Sequence, residues 1–167
     1  GFGTRLRPYT EHVPKPMVEV AGQSLIYRTL DLLRAARVLE VVVNAHYLAD
    51  VLRTHMDAYC AQHKEMTIHV IEEDEILDTG GGIVNALPYF QDEPFYVIAG
   101  DNLWEEGDVP ALLRLAQHWD GRQMDILTLM EPIKDMVLTK GVGDYVFTDE
   151  THVKRSQDKS GTHMWAN

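Results

Sequence analysis

Short β-branched runs alternate with amphipathic helical stretches along this chain of 167 residues, and that alternation confines it to an α/β arrangement. Ser24 can cap a helix whose apolar positions Ile26, Leu30 and Leu33 fall at helical spacing, ending near Arg37. Glu40-Val41-Val42-Val43-Asn44 reads as a buried strand. Leu48, Val51, Leu52, His55 and Tyr59 line one face of a second helix. Thr67 to Ile71 alternates as a strand does. Thr79-Gly80-Gly81-Gly82 opens a third helix that reaches about Leu87. Pro94 to Ala99 reads as a strand stopping at Gly100-Asp101. Asp108 and Pro110 mark a fourth helix, with Leu112, Leu115, Ala116 and Trp119 on its inner face. Met124 to Met130 reads as a strand, and Tyr145-Val146-Phe147 with His152-Val153-Lys154 as a hairpin around Thr148-Asp149-Glu150. Trp165-Ala166-Asn167 reads as the start of one more strand.

Strands separated by helices predict a doubly wound, mostly parallel, Rossmann-like sheet, here with a small β-hairpin extension. Ligands of such sheets bind outside the carboxyl ends of the strands. The glycine-rich opening therefore belongs after a strand, and a first strand of about 6–10 residues is expected before Gly1. On this reading residues 1–167 are a single domain, incomplete at both ends.

Charge narrows the partners. Lys and Arg total 15 against 26 Asp and Glu, a net charge of −11. That balance disfavours nucleic acid and anionic membrane surfaces as partners. It leaves room for a phosphate ligand, because a few local cations reverse the field in a cleft. Cys60 is the single cysteine, so no disulfide within the chain is possible, and a reducing, cytoplasmic setting is expected. No apolar run approaches the roughly 20 residues that span a bilayer.

Four segments carry residues suited to chemistry. In Gly1-Phe2-Gly3-Thr4-Arg5-Leu6-Arg7-Pro8, glycines let backbone N–H groups approach a phosphate, Thr4 adds a hydroxyl and Arg5 and Arg7 add charge. Lys15, between Pro14 and Pro16, is a cation on a stiffened segment. Asp101 ends the apolar run in Ala99-Gly100-Asp101-Asn102, and a hard oxygen ligand suits Mg2+; the same pair of residues also forms turns. Leu77-Asp78-Thr79-Gly80-Gly81-Gly82 permits close approach of a flat base or a phosphate. Glu72 and Glu73 upstream are base-contact candidates or simply solvated acids. Gly141-Val142-Gly143-Asp144-Tyr145 offers Asp144 to sugar hydroxyls or to a turn. His46 reads as a residue of the second helix's start that could also approach a base.

The opening run through Tyr9-Thr10, followed by Pro14-Lys15-Pro16-Met17, closely resembles the signature of the sugar-1-phosphate nucleotidyltransferases. The resemblance implies condensation of a nucleoside triphosphate with a sugar 1-phosphate, with Mg2+ as cofactor. It implies catalytic roles for Arg5, Lys15 and Asp101, with Asp101 as the metal ligand. It implies nucleotide contacts from Gly1, Phe2, Gly3, Thr4, Arg5, Lys15, Glu73, Gly81, Gly82 and Ala99. Sugar contacts fall to Asn102, Gly143 and Asp144. A second metal-binding aspartate of the family has no match here and is expected beyond Asn167. Thr79 to Gly82 with Gly143-Asp144-Tyr145 is similar to the subgroup that uridylylates N-acetylmuramic acid 1-phosphate in cell-wall recycling, which makes UTP the favoured nucleotide. Mannose-1-phosphate guanylyl transfer and glucose-1-phosphate thymidylyl transfer remain alternatives. A noncatalytic nucleotide-sensing domain of the same fold is an alternative of another class. A dinucleotide-dependent dehydrogenase fits poorly, because the third glycine of that fingerprint is missing.

Overall fold

The computed structural model describes residues 1–136, 142–149, 152–158 and 160–165. The chain divides into two compact units, Gly1–Glu105 and Glu106–Asn167.

The first unit is built around a βαβ core. A two-stranded antiparallel ribbon, β1 (Glu19–Val20) and β2 (Gln23–Ser24), leads into helix α1 (Leu25–Ala35). Ser24 caps that helix by accepting from the Tyr27 N–H, and Arg37 beyond it takes a left-handed φ of 64°. Strand β3 (Glu40–Ala45), helix α2 (Ala49–Gln62) and strand β4 (Thr67–Glu72) follow. β3 and β4 pair in parallel from Glu40 opposite Thr67 to Ala45 opposite Glu72, so α2 is their crossover connection. Helix α3 (Asp78–Ala86) then continues into a single 3-10 turn, Leu87–Tyr89.

Leu30 and Met56 are each 1% exposed, and Ile26, Leu33, Leu52 and Tyr59 are buried with them. These residues repeat every three or four positions along α1 and α2, which is why two short helices bury one continuous seam. Hydrogen bonds also tie the two helices together. Tyr59 donates to Asp31 at 2.7 Å, Tyr27 donates to the His55 carbonyl at 2.8 Å, and Ser24 Oγ lies 2.9 Å from His55 Nε2.

The second unit holds helix α4 (Ala111–His118) and four short strands, β5 (Met130–Pro132), β6 (Tyr145–Phe147), β7 (Val153–Arg155) and β8 (His163–Trp165). They form an antiparallel sheet in the order β5-β8-β6-β7. The expected hairpin is β6–β7, set by Tyr145 opposite Arg155, and it forms one side of this larger sheet.

Several expectations need correction. Pro94 to Ala99 forms no ladder, and neither does Met124 to Leu129; only Met130 is in a strand. A β-branched or aromatic run becomes a strand only where another segment supplies ladder partners. Val41 to Val43 are half-buried rather than buried. On α2 the deepest positions are Leu52, Met56 and Tyr59, while Leu48, Val51 and His55 are half-buried. Ala116 is exposed, so the inner face of α4 is carried by Ala111 and Leu112. Trp165 ends β8 instead of starting a strand, and Ala166 and Asn167 lie outside the described residues. Among the described residues no helix is long and apolar enough to cross a membrane.

Candidate functional site

The opening loop folds through a single 3-10 turn, Thr4–Leu6, closed by Leu6 N–H donating to the Gly3 carbonyl at 2.9 Å. Gly3 has φ 62°, and a Cβ there would lie 3.1 Å from two carbons of Thr10. Glycine is thus required twice, for the left-handed backbone and for the space. Thr10 is fully buried, and its hydroxyl donates to the Gly3 carbonyl at 2.8 Å. Gly1, Thr4, Arg5 and Arg7 are exposed. Phe2 is 48% exposed, and its ring meets His46 and Tyr47 edge-on, each at 5.7 Å between centroids. His46 and Tyr47 immediately follow β3. The loop therefore lies at the carboxyl end of that strand, where α/β sheets bind ligands.

Lys15 begins a second 3-10 turn, Lys15–Met17, held by Met17 N–H donating to the Pro14 carbonyl at 2.8 Å. Its ammonium pairs directly with Asp101 Oδ2, the two side chains being 38% and 23% exposed. Gly100 before it packs near Ile26 and Pro16, at 3.8 and 3.9 Å from where a Cβ would stand. Asn102 N–H donates back to the Ala99 carbonyl at 3.4 Å, which turns the chain at Asp101. An ion pair this exposed is worth about 0–1 kcal/mol. An arriving phosphate or metal ion can divide it at little cost.

The third cluster surrounds α3. A Cβ on Gly82 would lie 3.3 Å from Glu73 Oε1 and 3.5 Å from the Asn44 side chain. Asn44 donates to the Gly82 carbonyl at 3.1 Å, and Glu73 Oε2 accepts from Leu77 N–H at 3.3 Å. A Cβ on Gly81 would lie only 2.7 Å from Leu77 Cβ. His46 Nδ1 donates to the Glu73 carbonyl at 2.7 Å. Glu72 instead lies beside Arg53 at 3.7 Å. Gly1, Phe2, Gly3, Thr4, Arg5, Lys15, Glu73, Gly81, Gly82, Ala99, Asp101 and Asn102 all belong to the first unit.

Asn102 also lines a cavity of about 290 Å³ with Gln23, Arg28, Asp31, Leu32, Leu103 and Trp104. Gly143 and Asp144 belong to the second unit. Gly143 bridges to Gly161 through N–H···O bonds of 3.1 and 2.9 Å, so close that an added Cβ would lie 2.4 Å from Gly161. Asp144 borders a groove of about 360 Å³ with Arg155, Ser156 and Gln157. Gly141 lies outside the described residues.

No three His, Cys, Asp or Glu residues converge among the described residues, so the protein builds no metal cage there. Asp101 alone still fits a divalent ion of the kind that keeps several waters and leans on substrate phosphates. Sequence reasoning gave no role to Tyr47 and none to Thr10 beyond its place in the opening run. Their signal was weak, a polar–aromatic group following a β-branched strand.

Residues 1–159 match the Nucleotidyl transferase family. The N-acetylmuramate alpha-1-phosphate uridylyltransferase of Caulobacter vibrioides is 37% identical over 161 residues, 95% of this chain and 65% of that protein. The mannose-1-phosphate guanyltransferase of Hypocrea jecorina is 31% identical over 139 residues, 80% of this chain and 37% of that protein. This chain thus spans less than two thirds of the length of these relatives. An apo UDP-glucose pyrophosphorylase structure superposes with a TM-score of 0.76 over 99% of this chain and 71% of its own, at 17% identity. That likeness fixes the α/β fold. The match over residues 1–159 shows that the chain belongs to the Nucleotidyl transferase family.

Proposed function

We propose that the protein transfers a nucleoside monophosphate from a nucleoside triphosphate to a sugar 1-phosphate, giving a nucleoside diphosphate sugar and pyrophosphate. The observation that carries this reading is the direct ion pair between Lys15 and Asp101. It sets side by side a cation suited to phosphate and a carboxylate suited to a divalent metal ion. In the reaction a phosphate oxygen of the sugar 1-phosphate attacks the α-phosphorus. The new O–P bond forms as the bond to the pyrophosphate oxygen breaks, and pyrophosphate leaves. Such chemistry depends on positioning and on compensation of charge. Arg5 meets the leaving pyrophosphate. Lys15 exchanges Asp101 for the attacking and transferred phosphates. Asp101 would hold Mg2+, which would supply neutralisation of phosphate charge. The faces of Gly81 and Gly82, with Glu73, receive the nucleoside. Asn102 in the first unit, and Gly143 and Asp144 in the second, are the residues assigned to the sugar.

Uridylyl transfer to N-acetylmuramic acid 1-phosphate is the favoured pairing. The Caulobacter relative supports it by matching 95% of the chain, whereas the mannose-1-phosphate guanyltransferase of Gibberella zeae, also 37% identical, matches 60%. The test is pyrophosphate release by the full-length protein with each triphosphate against a panel of sugar 1-phosphates. UTP with N-acetylmuramic acid 1-phosphate should react fastest. Turnover of GTP with mannose 1-phosphate alone would reject the pairing, and nucleotide binding without pyrophosphate release would reject transfer itself.

A further inference from the structure

The phosphate loop and the nucleoside-side loop are joined by a set of contacts to which the reaction above assigns no part. Tyr47 is at its centre. Its hydroxyl donates toward the carbonyls of Thr10 at 3.2 Å and Glu11 at 3.0 Å. Thr10 is the fully buried residue whose own hydroxyl holds the Gly3 carbonyl at 2.8 Å. The Tyr47 ring meets Phe2 at 5.7 Å and 69°. Its neighbour His46 meets the same Phe2 ring at 5.7 Å and 75°, and donates through Nδ1 to the Glu73 carbonyl at 2.7 Å. A carbonyl only accepts, so Nδ1 carries the proton.

The backbone beyond this pair is strained. Leu48 has φ 54°, a left-handed conformation rarely taken by a bulky side chain. Such conformations persist only where the surroundings over-determine them. Here Ala49 is buried at the start of α2 on one side, and His46 and Tyr47 are fastened on the other.

We propose that Tyr47 is a positioning residue that presets the phosphate loop through Thr10 and Gly3, so that the loop's N–H groups face a triphosphate before it binds. The proposal rests on the loop's assigned role as the phosphate site. It predicts that losing one hydroxyl, remote from the reacting atoms, weakens polyphosphate binding specifically.

The experiment measures calorimetric binding of tripolyphosphate and of UTP, each with Mg2+, to the full-length protein and to Tyr47→Phe. Phenylalanine keeps the ring against Phe2 and removes only the donor. Affinity for both probes should fall about tenfold, or about 1.4 kcal/mol. The KM for sugar 1-phosphate and the melting temperature should stay near those of the unaltered protein. Unchanged tripolyphosphate affinity would overturn the proposal, as would a fall confined to melting temperature. Thr10→Val breaks the same relay from its other end and should reproduce the loss, and the double variant should bind no worse than the weaker single. Additive losses would show two unconnected contacts and overturn the relay. Unaltered protein that binds tripolyphosphate yet forms no nucleoside diphosphate sugar would reject the proposed reaction and leave this proposal standing. Unaltered protein that does not bind tripolyphosphate would reject this proposal.

Discussion

The seam between α1 and α2 and the carboxyl end of β3 are built on opposite principles. At the seam Leu30, Met56 and Tyr59 are 1–2% exposed, and its polar links run from one helix to the other. At the strand end the loop residue Arg5 is exposed, and in the Lys15–Asp101 pair the side chains are 38% and 23% exposed. Burying one leucine contributes roughly 1.5–3 kcal/mol, whereas an exposed ion pair contributes about 0–1. The seam therefore carries stability, and the exposed loop and ion pair carry readily exchanged charge. The two can be altered separately.

The largest test of that separation is Lys15→Ala or Asp101→Asn. Each should slow pyrophosphate release by the full-length protein on the order of 100-fold or more, about 3 kcal/mol of barrier. Melting temperature should barely change, because the pair adds little to the folded state. A large fall in melting temperature with turnover retained would mean that the pair is structural.

Leu30→Ala inverts the experiment. Leu30 is 1% exposed in the seam, and leucine-to-alanine changes at such positions cost about 2–5 kcal/mol. Denaturant unfolding should show that loss. Turnover measured well below the melting point should remain close to that of the unaltered protein.

Gly81→Ala probes the nucleoside side. Its new methyl would lie 2.7 Å from Leu77 Cβ, so α3 or the chain before it must move. Overpacking of this kind costs typically 1–3 kcal/mol, outweighing the gain of up to about 1 kcal/mol in helix propensity. The variant should melt earlier, and its KM for the triphosphate should rise more than its KM for the sugar phosphate.

The two regions also differ in how far the sequence disclosed them. The seam was legible, because Ile26, Leu30 and Leu33 recur at the helical period and burial follows from that period. Met56 was overlooked in favour of Val51 and His55, since several registers of α2 satisfy the same spacing. The Gly3 loop and Lys15 were legible through local chemistry. The meeting of Lys15 with Asp101 could be expected only from the family resemblance, as nothing in their spacing dictates contact. Tyr47 was illegible for a plainer reason: its partners are backbone carbonyls, and every residue has one. Pro94 to Ala99 misled because propensity reports a run's suitability for a sheet, while a ladder needs a neighbour.

A smaller effect comes from His55 in the seam. Burial holds its pKa below the ordinary histidine value, against an opposing pull from Glu19. A group with a lowered folded-state pKa binds more protons when unfolded, so acid favours unfolding. The stability it affects is intact above the unfolded value near 6.5 and is lost as the pH falls from there through the folded value. Melting temperature should therefore drop between pH 7.5 and 5.5 more steeply for the unaltered protein than for His55→Gln. Equal slopes would show that His55 does not couple the seam to pH.

The smallest effect has the opposite sign. Gly80 lies one residue before Gly81 in α3, yet a Cβ built on it meets nothing within 4 Å. Its φ is also outside the left-handed range, so alanine fits without backbone strain. Replacing a helical glycine by alanine gains about 0.5–1 kcal/mol where no clash intervenes. Gly80→Ala should thus raise the melting temperature slightly while Gly81→Ala lowers it. If the Gly80 variant also loses affinity for the triphosphate, then the open space beside it is where the nucleoside sits. Gly80, unlike Gly81, would then be held as glycine for a ligand rather than for the fold.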